Sequence, residues 1–301
     1  GGNKMKWRGG RQSSNVEDRS GRSAGSGGKI MAGGGIGTIV IAVLFFLFSG
    51  GDLNSVTDIL GGGQAANYQT ENVASDEYTE EKEFSAVVFG HLEDYWNGVF
   101  EAEQTTYQDP KLVLFTGSVQ SACGNATSQV GPFYCPADQN VYLDLSFATE
   151  LSQKYGASGD FAMAYVIAHE VGHHVQNELG ITQQLDKIRQ QVSEKEYNQY
   201  SVRLELQADY LAGTFAKYLQ GKTYNGQPIL EAGDIEEAIT AANAIGDDTL
   251  QKEYQGYVVP DSFTHGTSKQ RVEWFNRGFK YGDLEHGDTF NEKNLDLVYG
   301  S

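Results

Sequence analysis

The chain has 301 residues, of which 39% are hydrophobic, and a formal net charge of −18. This size allows one well-buried core of about 210 to 220 residues once an N-terminal region is set aside. Residues 1–29 carry a net charge of +5 and the rest carries −23. An acidic body of this kind argues against a nucleic-acid-binding protein, which would need the opposite sign.

The N-terminal region divides into two parts. Residues 1–29 are rich in Gly, Ser and Arg, which predicts a disordered basic tail. Residues 30–51 are 22 uncharged residues around an apolar centre, and as a helix they would span about 33 Å, which matches a bilayer. A retained transmembrane anchor is favoured over a cleaved signal peptide, because the tail before it is long and no clear A-x-A site is present. A buried globular helix fits poorly beside the flanking glycines.

The charges around this segment predict its orientation. Positive residues precede residues 30–51 and acidic residues follow them, so the positive-inside rule places the tail in the cytoplasm and the body across the membrane. We therefore expect a single-pass protein of the bacterial inner (cytoplasmic) membrane, whose body is periplasmic or otherwise extracytoplasmic and whose anchor contacts the lipid bilayer. Residues 52–80 have the Gly-, Asn-, Asp- and Thr-rich composition of a linker.

The body begins with one helix and two strands. Apolar residues at three-and-four spacing predict an amphipathic helix over residues 83–104. Residues 111–115 and 140–143 are typical of short strands, and we expect the second to be an edge strand that pairs with an extended substrate. Asp144 is placed to cap a helix that ends near residue 154, before a glycine-containing break.

The chain has two cysteines, Cys123 and Cys135, in a segment rich in Gly, Asn, Ser and Pro. A zinc-binding pair would need C-x-x-C spacing, and a catalytic thiol would need a base partner, neither of which is evident. A disulfide is the simplest interpretation, and it agrees with an exported domain.

The chain is organised around residues 161–177. An apolar run after Asp160, a candidate N-cap, predicts a buried helix that contains H-E-V-G-H, from His169 to His173. Residues four apart lie on one face of a helix, so the two histidines can hold one metal ion. Glu170 projects about 100° away, beside a metal-bound water rather than on the metal. Zinc suits two neutral imidazoles, and Glu170 has the position of a general base; the alternative is a structural histidine pair.

A catalytic zinc site needs a third protein ligand from elsewhere in the chain. After a polar helical segment over residues 182–199, residues 200–219 form a strongly helical stretch with Glu205 and Asp209 on one face. We expect Glu205 to bind the metal and Asp209 to accept the outer N–H of a ligating histidine. The alternative, a solvated acidic face, is disfavoured because apolar residues surround the pair.

The last predicted feature is a histidine in front of a helix. Another amphipathic helix covers residues 234–245, and Thr267 and Gln270 then form a capping-box pattern. His265 precedes that box, where it could donate a hydrogen bond to the oxyanion of a tetrahedral intermediate; the alternative is a surface loop histidine. His174 lies one residue off the ligand face and is interpreted as a packing or supporting residue.

These motifs resemble those of known metallopeptidases. The H-E-x-x-H helix followed by E-x-x-x-D resembles the gluzincins, in which a second helix supplies the glutamate ligand. The segments S-A-C-G from residue 121, G-P-F-Y-C-P-A-D from residue 131, A-Y-V-I-A-H-E-V-G-H-H-V-Q from residue 164 and F-T-H-G-T-S from residue 263 are similar to the bacterial neutral zinc metallopeptidases of the YpfJ type. The likeness covers nearly the whole chain.

The resemblance implies a fold and an activity. The expected fold is α+β and predominantly helical, with a zincin-like domain and a small sheet over residues 81–285 and a C-terminal tail over residues 286–301. One Zn²⁺ ion, a peptide or protein substrate and a site-facing Arg271 are also implied.

We therefore expect a membrane-anchored zinc endopeptidase with Glu170 as its base. One alternative is a catalytically inactive metal-binding scaffold for a partner protein, which would have no need of Glu170. The other is a structural envelope protein whose histidines are incidental.

Overall fold

The computed structural model describes residues 5–21, 78–127, 131–157 and 159–296. The predicted anchor at residues 30–51 and nearly all of the predicted linker lie outside these ranges and stay predictions. Among the helices of the described ranges, none is long and apolar enough to cross a membrane.

The described residues form helices and short strands in the following order. The helices are α1 (Thr79–Ala102), α2 (Phe147–Tyr155), α3 (Asp160–Glu178), α4 (Ile181–Arg189), α5 (Glu194–Gln220), α6 (Asp234–Ala244), α7 (Asp247–Gln255) and α8 (Ser268–Tyr281). The strands are β1 (Val16–Asp18), β2 (Lys111–Phe115), β3 (Ser118–Ser121), β4 (Gly124–Thr127), β5 (Phe133–Cys135), β6 (Asn140–Asp144), β7 (Thr223–Tyr224) and β8 (Gln227–Pro228). The predicted α+β, mainly helical class with small sheets is confirmed.

The largest sheet has four strands in the order β1-β2-β6-β5. β1, β2 and β6 run parallel, whereas β5 is antiparallel to β6. The strand predicted at residues 140–143 is present as β6, but the prediction that it is an edge strand is wrong, because β2 and β5 flank it. Its residues from Val141 to Asp144 are all buried, which is the pattern of a strand covered on both faces. The edge strands of this sheet are β1 and β5.

Residues 5–21 belong to the folded unit, so the prediction of a disordered tail is wrong for them. β1 pairs with residues 112–114 of β2. Met5 and Trp7 are only 2% and 4% exposed, and the Trp7 ring packs edge-on against Phe84 of α1, with ring centroids 5.5 Å apart. The composition of the segment did not predict this, because the segment docks through two large apolar side chains and one three-residue strand. These residues are too few to change its average hydrophobicity.

The C-terminal residues up to 296 also pack against the body, where the sequence predicts a tail beginning at residue 286. The Arg203 side chain donates hydrogen bonds to the carbonyls of Thr289 and Glu292, and Trp274 Nε1 donates to the Leu295 carbonyl over 3.0 Å. The folded unit therefore extends beyond both predicted ends of the domain.

The predicted helices are present, with differences at their ends. The helices predicted over residues 83–104 and 234–245 correspond to α1 and α6. The segment predicted as one helix over residues 182–199 is broken between α4 and α5, where Ser193 becomes an N-cap and its side chain accepts from Glu196 N–H.

Neither aspartate predicted as an N-cap has that role. Asp144 ends β6 and accepts hydrogen bonds from Ser146, which precedes α2. Asp160 is the first helical residue of α3. The N–H of Phe161, in the first turn of the helix, donates instead to Glu237 of α6 over 2.9 Å.

Helix α3 lies at the centre of the core, between α5 and α6. Helices α5 and α8 approach backbone to backbone, since a Cβ on Gly213 would lie 2.1 Å from the Phe275 carbonyl and one on Gly278 would lie 2.0 Å from the Tyr210 carbonyl. The two glycines thereby allow α8 to bring its first turn next to the site-bearing part of α5.

The predicted disulfide between Cys123 and Cys135 is present, with the Cα atoms 5.9 Å apart. Cys123 lies in the turn of the β3–β4 hairpin, which covers the face of the sheet opposite to α1 and α3. The disulfide therefore ties that hairpin to β5.

Candidate metal centre

The three predicted metal ligands meet between α3 and α5. His169 and His173 come from α3 and Glu205 from α5, and their ligand atoms lie within 4.8 Å of one another. Glu205 Oε2 is 2.8 Å from His169 Nε2 and 3.2 Å from His173 Nε2. Gly172 allows the two helices to approach, because a Cβ there would already be 3.3 Å from the Ala208 carbonyl.

These residues fit a zinc ion. Glu205 is 1% exposed, and its Oε1 has no hydrogen-bond partner among the described residues. A buried carboxylate oxygen without a partner is costly unless a cation compensates it. Two imidazole nitrogens and one carboxylate oxygen are a ligand set of catalytic zinc sites.

Asp209 holds His169 from the side opposite Glu205. His169 Nδ1 lies 2.8 Å from Asp209 Oδ1, so a proton on Nδ1 leaves Nε2 free to face the metal position. Arg271 and the Tyr165 hydroxyl also donate to Asp209. Burial alone would raise the pKa of Asp209, but Arg271 and His169 outweigh it and lower the pKa to about 2. The carboxylate is therefore ionised and can accept from all three groups.

Glu170 lies beside the ligands in the same interior. It is 9% exposed, and burial raises its pKa above the usual value, while the neighbouring His169 and His173 oppose the shift. A buried carboxylate whose pKa is raised is suited to accept a proton and pass it on.

His265 lies in the buried loop that leads into α8. It is 6% exposed, and its Nε2 has no hydrogen-bond partner among the described residues. Burial raises the pKa of Glu205, but its neighbours His173, His169 and His265 together lower it well below the usual value. The capping box of Thr267 and Gln270 is confirmed, so His265 stands in front of a helix N-terminus, as predicted.

Comparison with known proteins agrees with these features. The family described as "Putative neutral zinc metallopeptidase" matches residues 5–290. The chain belongs to this family. A protein of Escherichia coli named "Uncharacterized protein YpfJ" is 46% identical over 293 residues, which are 96% of this chain and 99% of that protein. A protein of Mycobacterium tuberculosis, also named as uncharacterized, is 42% identical over 195 residues, which are 63% of this chain and 65% of that one.

No solved structure matches the chain. The zincin-like fold implied by the resemblance therefore stays a prediction, and the family assignment of this chain rests on its sequence.

Sequence reasoning did not identify two residues that support the candidate metal centre. Tyr165 lies one turn before His169, a helical spacing that could have marked it. Asp247, the first residue of α7, accepts hydrogen bonds at Oδ2 from the backbone N–H groups of Thr264, His265 and Gly266, at 2.7 to 3.0 Å. No local signal marks Asp247, because its partners lie 17 to 19 residues further along the chain.

His174 faces away from the ligands. Its Nδ1 is 2.7 Å from the Tyr134 hydroxyl of β5, and its Nε2 donates to the Gln108 carbonyl over 2.6 Å. This histidine links α3 to the sheet, which agrees with a packing role.

Proposed function

We propose that the protein is a zinc-dependent endopeptidase. The observation that carries the proposal is the convergence of His169 Nε2, His173 Nε2 and Glu205 Oε2 at one buried point, with Glu170 close enough to interact electrostatically with all three residues. Membership of the zinc metallopeptidase family supports the same function.

Each residue of the site has its own role in the proposed reaction. His169, His173 and Glu205 would hold the ion, and bound zinc supplies a water with a pKa near 7 and polarises the substrate carbonyl. Glu170 accepts the proton of the attacking water and later delivers it to the leaving amine. His265 Nε2 donates a hydrogen bond to the oxyanion that forms on the substrate carbonyl. Arg271 acts through Asp209 and is a positioning residue.

An extended peptide would pair with β5, which replaces β6 as the candidate substrate strand. β5 is the antiparallel edge of the sheet and packs against α3 through Tyr134. Backbone hydrogen bonds to such an edge bind a peptide with little dependence on its side chains.

An extracytoplasmic location, with residues 30–51 in contact with a bilayer, belongs to the proposal. The disulfide supports an oxidising compartment, and the apolar composition of residues 30–51 supports contact with a bilayer.

The proposal is tested with Glu170→Gln. Metal analysis should find about one zinc per chain in both the wild type and the variant, and cleavage of unfolded casein should fall roughly a hundredfold or more in the variant. Glu103→Gln, at an exposed position after α1, is the matched control and should cleave like the wild type. If both proteins bind zinc but neither cleaves casein, the result would favour a catalytically inactive metal-binding scaffold. If the wild type binds no zinc, the proposed metal site would be wrong.

A further inference from the structure

Gln176 connects His173 to the helix that carries Glu205. Its side chain is fully buried, and Gln176 Oε1 lies 2.8 Å from His173 Nδ1. Gln176 Nε2 donates to the Leu204 carbonyl over 2.8 Å and to Gln207 Oε1 over 3.0 Å. One amide thus contacts a candidate ligand on α3 and the backbone beside the third ligand on α5.

The Leu204 carbonyl determines which way this amide points. A carbonyl oxygen accepts hydrogen bonds only, so the amide nitrogen of Gln176 must face Leu204 and its oxygen must face His173. Because that oxygen also accepts only, His173 Nδ1 must carry a proton. The lone pair of the neutral ring is then on Nε2, which faces Glu205.

We propose that Gln176 is a positioning residue of the metal site, which sets the tautomer and ring direction of His173 as Asp209 does for His169. This inference rests on the proposed zinc site and adds a residue to it. A neutral acceptor suits this position, because Glu170, Glu205 and Asp209 already place three carboxylates around the ligands. Gln207, which accepts a hydrogen bond from Gln176, in turn donates from its Nε2 to the Gly287 carbonyl over 3.0 Å. The C-terminal part of the fold therefore helps to hold the Gln176 side chain in place.

The first test is the zinc affinity of Gln176→Leu, which keeps similar volume and loses both hydrogen-bonding atoms. Competition with a chromophoric chelator should show affinity about 10- to 100-fold below the wild type. Gln184→Leu, on the exposed side of α4, is the matched control and should not change affinity. A Gln176→Leu affinity equal to that of the control would overturn the inference, whereas a wild type that binds no zinc would instead overturn the proposed function.

A second readout separates positioning from general packing. In the zinc-loaded protein, nitrogen-15 spectra should show slowly exchanging Nδ1–H protons of both His169 and His173. Gln176→Leu should lose only the His173 signal. In Gln176→Glu the side chain, in its carboxylic acid form, can donate to the Leu204 carbonyl and accept from His173 Nδ1. This variant should retain the signal, with zinc affinity above that of Gln176→Leu. Equal loss of signal and affinity in both variants would mean that Gln176 only fills space.

A second inference comes from the N-terminal segment. Ser13 N–H donates to the Ala86 carbonyl over 3.0 Å, and Leu112 N–H donates to the Asn15 carbonyl over 2.8 Å. A Cβ on Gly90 would lie 2.7 Å from the Arg11 carbonyl, so the segment crosses α1 in direct contact with its backbone. Hydrogen bonds of about 3 Å cannot form across a bilayer whose apolar core is about 30 Å thick.

We infer that residues 5–21 and the metal-binding domain occupy the same compartment. A single crossing by residues 30–51, with the tail and the body on opposite sides, is incompatible with this pairing. Two of the basic residues used to predict that orientation also pair with acidic residues of α1: Arg8 pairs with Glu80, and Arg11 Nη2 lies 3.1 Å from Asp94.

The compartment is tested in the full-length chain with Ser14→Cys and Ser152→Cys, both at exposed positions. The wild-type chain, whose Cys123 and Cys135 form the disulfide, is labelled in parallel with a membrane-impermeant maleimide, and reaction above that background reports the introduced thiols. Both variants should react in intact cells, or both only after the inner membrane is permeabilised. Reaction of one variant in intact cells and of the other only after permeabilisation would overturn the inference.

Discussion

Arg271 and Asp209 form a bidentate ion pair in the interior of the protein. Arg271 Nε lies 2.8 Å from Asp209 Oδ2, and its Nη2 lies 3.1 Å from Oδ1. Both side chains are almost completely buried. The pair therefore keeps a carboxylate ionised behind His169, at a depth where an unpaired charge would be strongly unfavourable.

Replacement of Arg271 by Met should destabilise the fold and weaken zinc binding together. Removing one partner of a buried pair leaves the other charge uncompensated, at a cost of about 3 to 5 kcal/mol. Urea unfolding of the metal-free protein measures the loss. Lys195→Met breaks the exposed pair with Asp261 and should cost less than about 1 kcal/mol; an equally small effect for Arg271→Met would contradict a structural role for the ion pair.

Asp247→Ala should reduce peptide cleavage without loss of zinc. Three backbone hydrogen bonds to Asp247 shape the loop that carries His265, so their loss should move His265 and weaken oxyanion stabilisation by roughly a hundredfold in kcat. Steady-state cleavage of casein peptides is the measurement. The effects of Asp247→Ala and His265→Ala should not add in the double variant; additive effects would show that Asp247 acts elsewhere.

Trp7→Ala should lower the free energy of unfolding by about 3 to 5 kcal/mol, as expected for a large aromatic side chain removed from a core. If residues 5–21 were a disordered tail, Trp7→Ala would not change the free energy of unfolding. Gln12→Ala, at an exposed position of the same segment, is the control and should unfold like the wild type. Equal stability of the two variants would mean that residues 5–21 do not dock in solution.

Replacement of both Cys123 and Cys135 by Ser should lower stability by about 2 to 4 kcal/mol, as expected for a loop of this length. Zinc affinity should not change, because the disulfide ties a hairpin on the face of the sheet opposite to α3. Urea unfolding and chelator competition measure the two effects separately. A parallel loss of zinc affinity would indicate that the hairpin supports the metal site.

The sequence predicts what local spacing determines. The four-residue separation of His169 and His173 and the capping box at Thr267 depend only on helix geometry, so both could be placed in advance. At the N-terminus of α3, Phe161 N–H donates to the side chain of Glu237, which lies 76 residues further along the chain. No local sequence pattern predicts such a contact.

Two further features escaped prediction because they depend on tertiary packing. β6 pairs with β2 on one side and with β5 on the other, and the sequence pattern along β6 does not predict the second neighbour. Trp7 docks into the core because α1 offers a site against Phe84. The amphipathic pattern of α1 predicts an apolar face but not what covers it.

Asp234 should make the stability of the metal-free protein depend on pH. It is fully buried at the start of α6, and this burial raises its pKa to about 6. A hydrogen bond from Glu231 N–H opposes the shift. The negative charges of Glu231, Asp160 and Glu236 add to it. The unfolded value is 3.8, so the folded state binds the proton more tightly. This contribution to stability is fully present below about pH 4 and is lost as the pH rises through about 6.

Asp234→Asn keeps an oxygen that can accept from Glu231 N–H and removes the charge. The variant should therefore gain stability relative to the wild type as the pH rises from about 4 to about 8, with most of the gain between about pH 4 and 6. Urea unfolding at about pH 4, 6 and 8 measures the difference, and any cost of the amide that does not depend on pH cancels from the comparison. A difference that does not change between about pH 4 and 8 would mean that Asp234 titrates alike in the folded and unfolded chains.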